Sequence, residues 1–142
     1  MRLVLDTNVV VSAVLGSGAP ARLIELATEA EIELAASSDL LAELADVLAR
    51  EPIARRLALA ETSLAELSAL YESLVDLVEP ASIARTAPDP DDDRVLACAL
   101  AAGADLIVSG DKRFRNLKSW QRIPIVSPTE ALEMIARKPA GA

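Results

Sequence analysis

The chain has 142 residues, 52% of them apolar and only 2% aromatic, which suits one Ala/Leu-rich, helix-heavy domain with its own core and argues against disorder. A single cysteine, Cys98, excludes an internal disulfide, and the lack of histidine excludes Ser-His-Asp chemistry, a His-activated thiol and His-rich zinc sites. With 22 acidic against 14 basic residues the net charge is −8, the opposite of what a nucleic-acid binder usually carries.

"LVL" at 3–5 has the form of a short buried parallel strand, and Asp6, Thr7 and Asn8 offer caps for a helix that would follow in "VVVSAVL". "GSGAP" (16–20) is a loop, "ARLIELATEA" (21–30) a helix, and "IELAA" (32–36) a strand. "SSDLLAELADVLAR" predicts a strong helix capped by Ser38 or Asp39, with Leu40, Leu41, Leu44, Val47 and Leu48 as its stripe and Glu51-Pro52 as its stop. One or two helices are expected over 54–75, then a short strand in "LVDLVEP". "TAPDPDDD" (86–93) is a loop, "DRVLACALAAGA" a helix stopped by Gly103, "DLIVSGD" (105–111) a strand and turn, and "IPIVS" a last strand. "SPTEALEMIARK" closes the chain as a helix with Ser127 as cap and Pro128 at its first position, leaving "KPAGA" (138–142) as a frayed tail. Strands alternating with helices predict a single α/β domain with a mostly parallel sheet over 1–137. Cys98, within "LACAL", fits a small buried core position. No secretory-signal pattern and no membrane-length apolar run is present, so the expectation is a reduced, cytoplasmic setting and no membrane.

Acidic residues stand at specific places in this pattern. Asp6 and Asp111 each follow an apolar strand, at the carboxyl end where open α/β sheets bind ligands, although a cap or a turn would also account for either one alone. Asp92 lies three and four residues before Val95 and Leu96, on the buried stripe formed with Ala99 and Leu100, whereas Asp93 is rotated to the margin and Asp89 and Asp91 are expected as solvated loop charges. Glu43 lies between Leu40 and Val47 at the edge of the apolar stripe, one position beyond a capping box from Asp39. Carboxylates at the inner edge of packed helices are costly unless paired, and no basic partner is evident on those faces. A hard divalent cation, Mg²⁺ or Mn²⁺, would resolve the conflict and would suit attack on phosphodiesters.

"VLDTNVVVSA", "LLAEL", "PDPDDDRVLACALAAGADLIVSGD" and "IVSPTEAL" resemble, in order and spacing and over nearly the whole chain, the PIN-domain family, and more narrowly the VapC-like toxins of bacterial toxin–antitoxin pairs. The resemblance implies a Mg²⁺- or Mn²⁺-dependent ribonuclease acting on single-stranded RNA, inhibited by a cognate antitoxin. By motif its four acids fall on Asp6, Glu43, a residue of the "DDD" run and Asp111. The helical-face argument selects Asp92 for the third, with Asp93 in reserve as a metal ligand. Asn8, Ser12 and Ser109 match the family's polar residues beside the site, where capping or turn roles are equally open. An antitoxin segment would lie across the acidic rim and direct an Arg or Lys towards it. The apolar helices between 54 and 75 offer a surface for that antitoxin or for a homodimer, or simply core packing.

Lys112, Arg113 and Arg115 follow Asp111 directly and are candidates for phosphate contact; Lys118 and Arg122 fit a solvated face equally well. A phosphatase would want an acid where Asn8 stands, and a receiver domain a lysine after a late strand that only Lys112 could supply. Both readings leave Glu43 and Asp92 unexplained. A non-enzymatic interaction module and a housekeeping RNA-processing nuclease of the same fold are the remaining alternatives.

Overall fold

Leu3 and Leu5 face one side of the sheet and Val4 the other, and all three are buried, as a strand covered on both faces requires. The computed structural model describes residues 1–137. Its six-stranded sheet contains β1 (Arg2–Leu5), β2 (Glu33–Ala36), β3 (Val75–Leu77), β4 (Leu106–Val108), β5 (Ser119–Trp120) and β6 (Ile123–Val126). They are arranged β3-β2-β1-β4-β6-β5, with every pairing parallel except β5 against β6. The α/β class with a mostly parallel sheet therefore holds. The frayed-tail expectation for 138–142 lies outside the described residues.

Helices cover both faces. On one side, α1 (Thr7–Leu15), α2 (Ala19–Thr28), α3 (Ser38–Leu48), α4 (Ile53–Leu59), α5 (Leu64–Leu74) and α8 (Pro128–Arg137) enclose a core that includes Leu3, Leu23, Leu34, Leu48 and Leu106. On the other, α6 (Pro90–Ala102) and the short α7 (Lys112–Arg115) pack over Val4, Ala35 and Ile107. Cys98 is wholly buried in this second core.

Several local expectations shift. "VVVSAVL" is helical from Thr7 onward. The second helix begins two residues early, at Ala19, because Pro20 suits a first-turn position. Ser37, rather than Ser38 or Asp39, caps α3, its Oγ accepting from the Leu40 amide at 3.3 Å. Residues 86–93 are not all loop, since Asp89 caps α6 by accepting from the Asp91 amide at 2.9 Å and Pro90 opens the helix. Leu100 is 40% exposed and leaves the buried stripe, which Val95, Leu96, Cys98, Ala99 and Ala102 fill instead. Gly103 ends α6 at φ 62°, a left-handed position natural to glycine, and the Ala104 amide closes back on Ala99 O at 3.0 Å. Ser127 and Glu130 form a reciprocal capping box on α8, each backbone N–H donating to the other's side chain at 3.1 Å. The helix α7 and strand β5 were not expected from the sequence.

Among the described residues no single helix is long and apolar enough to cross a membrane.

Candidate active site at the carboxyl ends of β1 and β4

The chain leaves β1 towards β2, while β4 pairs with the opposite edge of β1, so the strand order reverses between β1 and β4. A crevice opens outside the strand ends at such a reversal. Asp6 is the first residue beyond β1 and Ser109 the first beyond β4, and the Asp6 amide donates to Val108 O at 2.8 Å, tying the two ends together.

Asp6 occupies the N-cap position of α1, yet its side chain makes no capping hydrogen bond. Instead its Oδ2 accepts from Ser109 Oγ at 2.7 Å and from Asn8 Nδ2 at 3.2 Å. Ser109 is fully buried and its Oγ also accepts from the Asp111 amide at 3.0 Å, while Asn8 Oδ1 accepts from the Gly110 amide at 2.9 Å. The two polar side chains thus clamp the "SGD" turn against Asp6 and fix the carboxylate's direction. Asp111 does serve locally, one oxygen capping α7 by accepting from the Arg113 amide at 2.9 Å, and it still lines the cleft.

Asp6, Glu43, Asp92 and Asp111 all line one cleft of about 430 Å³. Asp6 comes from the end of β1, Glu43 from α3, Asp92 from the first turn of α6 and Asp111 from the turn after β4. Ser12 of α1 lines the same cleft with Asn8, as do Asp89 and Asp91, which are solvent-exposed as expected but belong to the cap and first turn of α6. Thr7 lines it as well. The structure does not bring Asp93 there. Its carboxylate accepts from the Ala87 amide at 2.7 Å and the Thr86 amide at 3.2 Å, and it pairs with Arg85.

The electrostatics separate the neighbours. Burial, then the negative fields of Asp6, Asp89, Asp111 and Glu43, push the Asp92 carboxyl up to about 7. Burial also raises Asp6, against the hydrogen bond from Ser109, and it raises Glu43 together with the fields of Asp6 and Asp91. For Asp93, burial is outweighed by its hydrogen bonds from Ala87, Arg85 and Thr86, which hold it below the usual carboxylate range. A strongly perturbed carboxyl in a cleft of like charges is the physical mark of a functional site.

The donor set fits a hard divalent cation in its chemistry: the acids that line the cleft offer carboxylate oxygens, and Glu43 Oε2 is buried with no hydrogen-bond partner. Among the described residues no three acids stand close enough to cage an ion directly. Mg²⁺ does not need such a cage, since it commonly keeps several waters and takes one or two protein carboxylates.

The basic candidates fall elsewhere. Phe114 is fully buried and anchors α7, so Lys112 and Arg113 are exposed beside Asp111, but neither they nor Arg115 lines the cleft. Arg115 turns back towards Glu130 of α8 at 3.8 Å. Lys118 and Arg122 are exposed in the tight turns around β5, both at positive φ. The cation that does line the cleft is Arg50, just past α3, which stripe periodicity could not single out because it lies beyond the last apolar position.

An open α/β sheet with carboxylates gathered where its strand order reverses is a ligand-binding arrangement of open α/β folds. The PIN-domain family profile matches residues 2–113, and the chain belongs to that family. No curated protein matches it. Among solved structures it is similar to a chain of VapBC2 from Rickettsia felis, in complex with a DNA fragment from their promoter. The identity is 17% and the TM-score 0.56, over 88% of this chain and 97% of that one. At that identity the likeness is one of fold.

Proposed function

We propose that the protein is a metal-dependent endoribonuclease and the toxin of a toxin–antitoxin pair. One observation carries the reading: Asp6, Glu43, Asp92 and Asp111, from four separate segments, line a single cleft in which Glu43 Oε2 is buried without a partner. Asp6, Glu43, Asp92 and Asp111 would hold Mg²⁺ or Mn²⁺, with Asp93 outside the set. When bound, such an ion supplies a Lewis acid for phosphodiester hydrolysis. The chain's own contributions follow from the geometry. Ser109 and Asn8 orient Asp6 through their hydrogen bonds. Asp92, pushed up to about 7 by burial and by the acids around it, is the carboxylate whose charge a bound cation would relieve most. Lys112 and Arg113 lie at the outer edge and would steer single-stranded RNA towards the cleft. Arg115, engaged with Glu130, would contribute less.

The toxin assignment draws on family membership and on the similar fold, which in Rickettsia felis belongs to a VapBC complex. A cognate antitoxin would cover the acidic rim with a basic side chain. Leu59, Leu70 and Leu77, all more than half exposed, are available for an antitoxin or for a homodimer.

The test is cleavage of a single-stranded RNA with Mg²⁺ or Mn²⁺ present or chelated. Cleavage should require the ion and should be lost in Asp6→Asn with the fold kept; metal-independent cleavage, or none by the wild type, counts against the nuclease. Purification from the native operon should recover a small partner that suppresses the activity. Recovery of none would leave a housekeeping nuclease.

A further inference from the structure

Six acids line the cleft, namely Asp6, Glu43, Asp89, Asp91, Asp92 and Asp111, against one basic side chain among the described residues, Arg50. Resting on the nuclease reading above, we infer that Arg50 is a phosphate-binding residue, holding the backbone phosphate of the RNA strand next to the one that is cut.

Arg50 lies just past the C-cap of α3, seven residues after Glu43 and three after Val47, and all three line the cleft, so the guanidinium stands at the C-terminal end of α3 on its cleft side. Seven residues are roughly 10 Å along a helix axis. That separation puts Arg50 out of direct reach of the phosphate at the carboxylates and in place for its neighbour along the strand. The side chain is also free to serve. It is 65% exposed, and its ion pair is with Asp46 at 3.5 Å, an exposed i,i+4 contact of the kind that yields at little cost. Glu51, adjacent in sequence, is occupied with Arg55 at 3.2 Å. Arg94, whose field reaches Glu43, pairs with Asp91 and does not line the cleft. A planar guanidinium matches a phosphodiester with two parallel hydrogen bonds, which an ammonium cannot reproduce.

A structural reading competes, in which Arg50 complements the negative C-terminal end of α3. The two predict different observables. Binding of a short single-stranded RNA is measured with metal chelated, across a salt series, and kcat and KM are measured with Mg²⁺. Arg50→Ala should weaken binding on the order of tenfold and reduce the slope of log K against log salt by about one. KM should rise with kcat little changed, because the contact is made equally in the ground and transition states. Arg50→Lys should keep the slope and recover part of the affinity. Unchanged affinity and slope in Arg50→Ala overturn the inference, and if the wild type still cleaves, the nuclease reading stands without it. If the wild type binds RNA but does not cleave, the nuclease reading falls while the binding comparison still decides Arg50. If it does neither, both fall. Asp46→Ala breaks the same ion pair while leaving the cation in place, so a matching loss of binding in that variant would show a helix effect and overturn the inference.

Discussion

Asp92 and Asp93 are adjacent in sequence and face different surroundings, and the difference follows from one helical step. Asp92 faces the cleft, whereas Asp93 holds the loop before α6 through the Thr86 and Ala87 amides and Arg85. Asp92→Asn should abolish RNA cleavage and leave a folded protein. Asp93→Asn should keep cleavage and lose about 1 kcal/mol of stability, the cost of weakening a charge-assisted network that is mostly open to solvent; circular-dichroism melts and activity assays separate the two. Their pH dependence differs in sign. Asp6, Glu43 and Asp92 have raised pKa values in the fold, so in chelator their contribution is intact below the unfolded carboxylate range, near 4, and is lost as pH rises towards the folded value. For Asp92 that loss extends to about 7. Asp93 and Glu130 have lowered values, and their contribution disappears only in acid, as pH falls through the folded pKa. Without metal, Tm should therefore decline between about pH 4 and 7, and decline less in Asp92→Asn. An unchanged pH profile in that variant would show that Asp92 does not feel its neighbours. The sequence made Asp92 legible through the face it shares with Val95 and Leu96. It could not show Asp89 and Asp91 at the exposed edge of the cleft, because that depends on where α6 starts, nor Arg50, which no periodic pattern marks.

Among the elements, α3 carries Glu43 and leads directly into Arg50, and it starts at a buried cap. Ser37→Ala leaves the Leu40 amide without its acceptor and should cost about 1 kcal/mol, or roughly 2–4 °C in Tm, while a substitution at Ser38, which caps nothing, should cost little. Equal effects at the two positions would place the cap where the sequence alone put it. What the sequence shows at this scale divides by length and context. Strands such as "LVL" and "IELAA" are legible because both faces of a parallel sheet are covered, which forces continuous apolar runs. The long helices are legible by stripe. The four residues of α7 and the two of β5 are too short to display a period. Their structure comes from tertiary anchors: Phe114, wholly buried, pins α7, and β5 exists only through its pairing with β6. Because α7 is so pinned, Lys112, Arg113 and Arg115 splay around the anchor instead of projecting together into the cleft, which their closeness to Asp111 in sequence could not reveal.

At the scale of the whole molecule the net charge of −8 is partly a consequence of the site, since the six acids of one cleft face a single cation among the described residues. The ion pairs elsewhere, such as Arg22 with Glu25 and Arg55 with Glu51, are exposed and contribute little. Self-repulsion should therefore limit stability in dilute buffer, and any added salt should raise Tm by screening it. The same screening should weaken RNA binding, because phosphate contacts release counterions. Stability and substrate affinity are thus expected to move in opposite directions with NaCl. A cation held in the cleft adds a second effect that screening cannot produce. At matched ionic strength, saturating Mg²⁺ should raise Tm above the NaCl value, by about 2.7 kcal/mol of added stability when the ion stands at a hundred times its dissociation constant. Asp6→Asn should erase this excess and retain the NaCl response, since it removes a ligand while changing the total charge by one unit. Should Mg²⁺ and NaCl give superimposable melting curves at equal ionic strength, the acids would be acting as a diffuse negative field, and the carboxylates would have to be explained without an ion.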